Sequence, residues 1–213
     1  MLKDKEYIWY ASYGSNILEE RFLCYIQGGR PVGSTKTYSG SSDKTPPLRK
    51  EQIVINMELY FAGHSAVWDN EGISYLQRSS DTQTKTLGIM YLISKQQFFD
   101  LLNQEAFNLK SIPVNIDKAI SDKSLIFDSN SLYNTIIFLG MKDDFPIFTL
   151  TAKDKVQEPN KPSKSYLKTI IMGIKETYQL IDEEIGDYFI SKSGIAGNYT
   201  KEELIRIITK VND

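Results

Sequence analysis

Apolar and polar positions follow two different periods along this chain. Tyr7, Ile8, Trp9 and Tyr10 form an unbroken aromatic and β-branched run, which predicts a buried strand. Leu18, Phe22, Tyr25 and Ile26 then fall on one helical face, predicting a helix near 17–27. Asn16 with Glu19 three residues on is read as its capping box, and Gly28-Gly29 as its stop. Ile53, Ile55, Met57, Leu59 and Phe61 alternate with more polar neighbours, as on a half-buried strand. Further strands are expected near 64–68, 73–76, 85–93, 134–139 and 147–151. Further helices are expected near 95–104, 164–178, 183–191 and 201–210. Ser94 with Gln97, Ser163, and Thr200 with Glu203 mark three of the helix starts. Strands gathered early and helices late predict an α+β fold, and many short strands point to closure into a small mixed β-barrel flanked by helices.

The first strand and helix meet at Tyr10-Ala11-Ser12-Tyr13-Gly14-Ser15-Asn16. A strand, a tight glycine turn and a helix start aim several backbone N–H groups at one point, where an anion can bind. Gly14 has no Cβ to keep a ligand from the backbone. Strand–turn–helix junctions of this composition also occur without a ligand, and spacing alone does not separate the two cases.

Residue identity adds what spacing does not. The stretch resembles the Tyr-Phe-Ala-Tyr-Gly-Ser-Asn signature of the γ-glutamylcyclotransferase family, with Ser12 where the family usually has Ala. Leu102-Asn103-Gln104-Glu105-Ala106 is similar to that family's Leu-Asp-Glu-Gln-Glu-Gly element, departing at Ala106. Tyr166 to Glu176 is similar to its helix Tyr-Lys-Lys-Ile-Ile-Cys-Met-Gly-Ala-Lys-Glu. The three matches stand in the family's order and, with looser likeness between them, cover 7–27, 58–106 and 163–178. The resemblance implies a γ-glutamylcyclotransferase-like barrel with its site at one mouth. It implies Glu105 as the catalytic acid/base, and Tyr10, Ala11, Ser12, Tyr13, Gly14, Ser15 and Tyr166 as substrate-binding positions. Without the resemblance, Glu105 reads as a solvated helix-end carboxylate and the stripe Tyr166, Ile170, Ile174, Tyr178 as core packing.

Composition fits this picture. A chain of 213 residues with 41% hydrophobic and 24% charged residues can build a full core without disulfides, so 1–213 is expected to form one domain. The net charge of −2 gives no pull toward nucleic acid or an anionic membrane. Lys3, Asp4, Lys5 and Glu6 leave no secretory signal visible, and no apolar run is long enough to span a bilayer, so a cytoplasmic protein is expected. Cys24, the one cysteine, is read as a buried thiol on the helix face, and His64, the one histidine, as structural at the start of a strand. That pair is too few for zinc ligation or a histidine-based nucleophile, so no metal and no cofactor are expected. Asp143-Asp144 and Glu183-Glu184 read as solvated turn and helix charges. Residues 28–50 carry Gly28, Gly29, Gly33, Gly40, Pro31, Pro46 and Pro47 with five basic residues, predicting a long loop that serves as a lid or docking surface, or as a solvated excursion.

The reaction the resemblance implies is intramolecular aminolysis of a γ-glutamyl amide, with a small γ-glutamyl compound as the partner. Two alternatives stay open: transfer or deprotection of a larger γ-glutamyl conjugate, and a non-catalytic binding or regulatory module. The leaving group and the oligomeric state are not written in the sequence.

Overall fold

The computed structural model describes residues 6–31, 34, 36–77, 84–105, 114–127, 131–152 and 158–209. By its internal contacts the chain divides into two compact units, each assembled from separate stretches. Met1–Ser12, Glu20–Ile53 and Ile89–Lys155 make the first; Tyr13–Glu19, Val54–Gly88 and Val156–Asp213 make the second.

The first unit carries a mixed six-stranded sheet. Its strands are β1 (Tyr7–Ser12), β2 (Arg49–Ile55), β5 (Thr86–Ser94), β6 (Ser124–Ile126), β7 (Thr135–Lys142) and β8 (Phe145–Thr151), in the order β2-β5-β1-β8-β7-β6. The last residues of β2 and the first of β5 are counted with the second unit. The apolar run predicted as a buried strand is β1, which lies inside the sheet, antiparallel to β5 and parallel to β8. Helix α1 (Glu19–Gln27) lays Phe22 flat on Tyr91 at 3.9 Å between centroids, with Tyr10 stacked on Phe22 at 5.6 Å. Helix α2 (Lys95–Glu105) adds Phe98 against Phe148 at 5.8 Å. Burying each such ring contributes roughly 1.5–3 kcal/mol, so the stack is a substantial part of the unit's core. Helix α3 (Ile116–Ser121) and β6 complete it.

The second unit holds the hairpin of β3 (Glu58–Ser65) and β4 (Glu71–Gln77) with helices α4 (Lys164–Thr177), α5 (Asp182–Ile190) and α6 (Lys201–Thr209). The expected caps are in place. Ser163 accepts from the Tyr166 N–H at 3.2 Å, and Thr200 and Glu203 cap each other reciprocally; in the first unit Ser94 and Gln97 do the same.

The α+β class is what the pattern predicts, but the sheet does not close into a barrel. β2 and β6 are its two edges, and β3 with β4 forms a separate two-stranded sheet. Closure needs two edge strands that can hydrogen-bond to one another. Here β6 is three residues long, and β2 opens on Arg49, Lys50 and Glu51, charges of the kind that guard an edge. Arg49 is ion-paired with Asp143 at 2.8 Å and with Glu51.

Four local readings also change. The alternation from Ile53 to Phe61 belongs to two strands, broken at Asn56-Met57. The strand expected at 64–68 is instead the end of β3 and a 3₁₀ turn, Ala66–Trp68, so exposed His64 closes a strand. Asn16 does not cap α1: it lies buried in a 3₁₀ turn, Ser15–Ile17, and extended Leu18 separates that turn from the helix. Cys24 is half-buried, because Arg21, Phe22, Tyr25 and Ile26 occupy the inward face of α1. No helix among the described residues is long and apolar enough to cross a membrane.

Gly173 ties α4 to the turn at Ser15–Ile17. A Cβ there would lie 2.5 Å from the Leu18 nitrogen and 2.6 Å from the Ile17 carbonyl carbon, both backbone atoms that cannot swing away. Gly173→Ala should therefore lose stability although alanine is the better helix former. The overlap costs about 1–3 kcal/mol against a propensity gain of about 1. Differential scanning calorimetry should show the midpoint lowered by several degrees; an unchanged or raised midpoint would refute the close packing.

Candidate functional site

The motif 10–16 crosses the boundary between the units: Tyr10, Ala11 and Ser12 lie in the first, Tyr13, Gly14 and Ser15 in the second. In the second unit the chain leaves β1 and folds at once into the 3₁₀ turn, with the Ile17 N–H donating to the Gly14 carbonyl at 2.9 Å. Tyr13 and Ser15 are buried, whereas Gly14 between them is half-exposed. The need for glycine here comes first from the protein itself. A Cβ on Gly14 would overlap the Ser74 hydroxyl and stand 3.1 Å from the Tyr166 hydroxyl.

Tyr166 sits in the first turn of α4, 1% exposed. Its ring packs against Trp68 at 4.8 Å and, edge-on, against Phe61. Its hydroxyl accepts from the Ser74 N–H at 3.1 Å and lies 2.7 Å from Ser74 Oγ. Gly14, Ser74 and Tyr166 thus converge on one spot, from the turn, β4 and α4. Ser74 was not foreseen, because a serine inside a strand gives no signal until its neighbours are known.

In the first unit Tyr10 is committed to the aromatic stack with Phe22 and Phe98. Ala11 is fully buried and its carbonyl accepts from Thr149 Oγ1 at 2.7 Å; Ser12 is buried at the end of β1.

Glu105 is the last residue of α2 and is half-buried. The residue before it anchors the helix end, since Gln104 Nε2 donates to the Tyr25 carbonyl at 3.0 Å. The charge of Glu105 adds to the upward shift that burial gives the Tyr25 hydroxyl. The Tyr25 hydroxyl lies 3.2 Å from that of Tyr38, and the Arg21 guanidinium donates to Tyr38 at 2.9 Å. The Lys36 ammonium stands over the Tyr38 ring, 4.6 Å from its centroid. Burial lowers the pKa of Lys36, and the charge of Glu105 works against that shift. The charge of Glu105 is thus felt at Tyr25, Tyr38 and Lys36.

Arg21, Tyr25, Lys36 and Tyr38 were not nominated as site residues from sequence; Tyr25 was read only as part of the apolar helix face. Arg21 carried the one usable signal: a guanidinium on the helical face of Leu18, Phe22 and Tyr25. Lys36 and Tyr38 come from the unpatterned stretch 28–50, which is stitched down where it is described. Ser41 N–H donates to the Ile26 carbonyl, Ser42 to Asp100, and Gln97 to the carbonyls of Asp43 and Thr45.

A cavity of about 410 Å³ opens between α4 and α6, lined by Lys164, Ser165, Lys168, Glu203, Arg206 and Ile207. It contains none of the residues nominated from sequence. Among the described residues no group of three or more His, Cys, Asp or Glu side chains is placed to hold a metal ion.

No family model matches the chain. Two solved structures share its fold at 17% identity and a TM-score of 0.50, each covering 96% of this chain and 99% of its own. One is an uncharacterized protein, loc79017, from Homo sapiens; the other is described as a gamma-glutamyl cyclotransferase. The resemblance to γ-glutamylcyclotransferase-like proteins therefore holds at the level of the fold. The chain is also 34% identical over 197 residues to histone deacetylase 5 of Arabidopsis thaliana. That match spans 85% of this chain but 30% of the relative, so most of the relative lies outside it.

The buried phenols make stability depend on alkaline pH. Burial raises the pKa of Tyr25, Tyr38, Tyr60 and Tyr188, with Glu105 adding to the shift at Tyr25, and burial raises Tyr199 to about 12. In the unfolded chain all would ionise near ~10. Above that pH the unfolded state releases protons that the folded state keeps, so the stability present below ~10 falls as pH rises toward the folded values. Tyrosinate absorbance followed with circular dichroism should show a fraction of the phenols ionising only as the protein unfolds. Full ionisation near ~10 with an intact spectrum would contradict the burial assigned to these rings.

Proposed function

We propose that this protein is a γ-glutamylcyclotransferase-like enzyme that closes a γ-glutamyl group into 5-oxoproline and releases the attached amine or amino acid. The observation that carries the reading is Glu105. It lies half-buried at the end of α2, in a chain with the cyclotransferase fold, at the position the motif marks for the acid/base.

In the proposed step the substrate's α-amine attacks its own γ-carbonyl. The new C–N bond closes a five-membered ring and the old amide C–N bond breaks. Glu105 accepts the proton from the attacking nitrogen and returns it to the departing one, so the enzyme ends unchanged. An α-amine titrates near ~8 and a free glutamate near ~4.3, a mismatch of roughly 5 kcal/mol. Such a transfer therefore depends on a carboxylate held in line, and closure within one molecule removes the need to bring in a second reactant. Backbone N–H groups of Tyr13, Gly14 and Ser15 are assigned to the substrate carboxylate or the developing oxyanion, and the Tyr166 hydroxyl to its orientation. The reading requires one substrate to meet both Glu105 and this turn, which a crystal soaked with 5-oxoproline tests directly.

Glu105→Gln keeps the shape and loses the base. Release of 5-oxoproline from a panel of γ-glutamyl amino acids, amines and peptides should fall by about two to four orders of magnitude with little change in thermal midpoint. Near-normal turnover in the variant would reassign the base. Mass spectrometry of the released partner identifies the leaving group.

The nucleophile belongs to the substrate and the step draws on no Lewis acid. Prolonged dialysis against EDTA should therefore leave the rate within about twofold. Activity lost on chelation and restored by a divalent metal would overturn the mechanism.

A further inference from the structure

We propose that the cavity between α4 and α6 is a binding site for a small phosphorylated organic compound, with the phosphate held among Lys164, Lys168 and Arg206 and the organic part resting on Ile207. Neither Glu105 nor the turn at 13–15 takes part, so the site is tested separately from the reaction proposed above. All its lining residues belong to the second unit.

Positive charge is gathered here against the trend of the whole chain. The net charge is −2, yet three of the six lining residues are cations and Glu203 is the one carboxylate among them. The lining therefore holds a surplus of two positive charges. Lys164 and Lys168 stand one turn apart on α4, and like charges at that spacing repel. Arg206 adds a third cation from α6. Glu203 relieves this only in part. Its carboxylate accepts from the Thr200 N–H at 2.9 Å and is tied to the start of its own helix. Asp69, outside the lining, accepts from the Ser165 hydroxyl at 3.1 Å. Among the described residues neither Lys164 nor Arg206 is ion-paired with a carboxylate.

An anion removes that repulsion, and the surplus says which kind fits. A phosphate monoester carries a charge of about −1.5 to −2 at neutral pH and offers three acceptor oxygens. A carboxylate brings half the charge and two oxygens. The guanidinium fork can take two phosphate oxygens together, while the lysines act as point charges. Volume narrows the choice further. About 410 Å³ is a size usual for organic ligands and more than a bare phosphate needs. Ile207, buried against the protein, supplies an apolar wall for the remainder of the molecule. Lys164, Lys168 and Arg206 are exposed, so a ligand reaches them without any opening of the unit.

Calorimetric titration of the full chain with phenyl phosphate tests the site, with amide NMR to place it. One ligand per chain should bind, and the shifted amides should centre on 164–168 and 203–207. Lys164→Gln and Arg206→Gln should each weaken binding about 5- to 20-fold with the thermal midpoint unchanged, because both side chains are exposed. Lys118→Gln, on α3 in the first unit, should change it by less than about twofold. An equal loss from Lys118→Gln, or shifts spread over other lysines, means diffuse attraction and overturns the site. Inorganic phosphate should bind several-fold more weakly than phenyl phosphate, since it leaves Ile207 uncovered. Equal affinity of the two overturns the organic part of the assignment. Absence of saturable binding by either at millimolar concentration overturns the proposal outright.

Discussion

The second unit depends on the absence of one carbon atom. Because Gly173 has no side chain, α4 can touch the backbone of the turn Ser15–Ile17, and that contact sets where the first turn of α4 lies. Tyr166 is in that first turn, held by Ser74 from β4, and Gly14 closes over both. A larger residue at 173 would separate helix and turn, and the three-way meeting of Gly14, Ser74 and Tyr166 would open with them. Glycine in a helix interior costs about 1 kcal/mol against alanine, which this chain accepts in exchange for the close approach.

The first unit solves a different problem. Its aromatic stack is apolar, yet α1 carries Arg21 and Tyr25 on the same inward face as Phe22 and Ile26. A buried guanidinium is costly unless its hydrogen bonds are met. The loop residue Tyr38 helps to meet them, and its hydroxyl also accepts from that of Tyr25.

Much of this was legible in the sequence where local rules decide. The caps at Ser94, Ser163 and Thr200 follow from side chains reaching their own backbone, and the strand at 7–10 from its residue types. The motif residues gave the fold family. Barrel closure was not legible, because whether two edges meet is decided by strand length and charge at residues far apart in sequence. The turn at Ser15–Ile17 took Asn16 from its expected cap, and α4 packs on that turn through Gly173. Tyr38 and Lys36 lay in a stretch with no period, and Ser74 in a strand whose pattern it does not disturb. Contacts between distant segments brought all of them in.

The order of synthesis gives the Gly173 contact another meaning. The turn at Ser15–Ile17 is made early, but its partner α4 follows every described strand. Each unit is assembled from stretches of chain that alternate with the other's, so neither is a continuous piece that could be completed and set aside while the rest is made. On the ribosome the first half of the chain must therefore wait, with its aromatic face unfinished, in the partly built condition in which exposed strands and rings adhere to other chains. Non-local closure of this kind is slow because the loop entropy is lost before the contacts repay it. A chain so threaded is poorly suited to being cut in two, because no single cut leaves either unit in one piece.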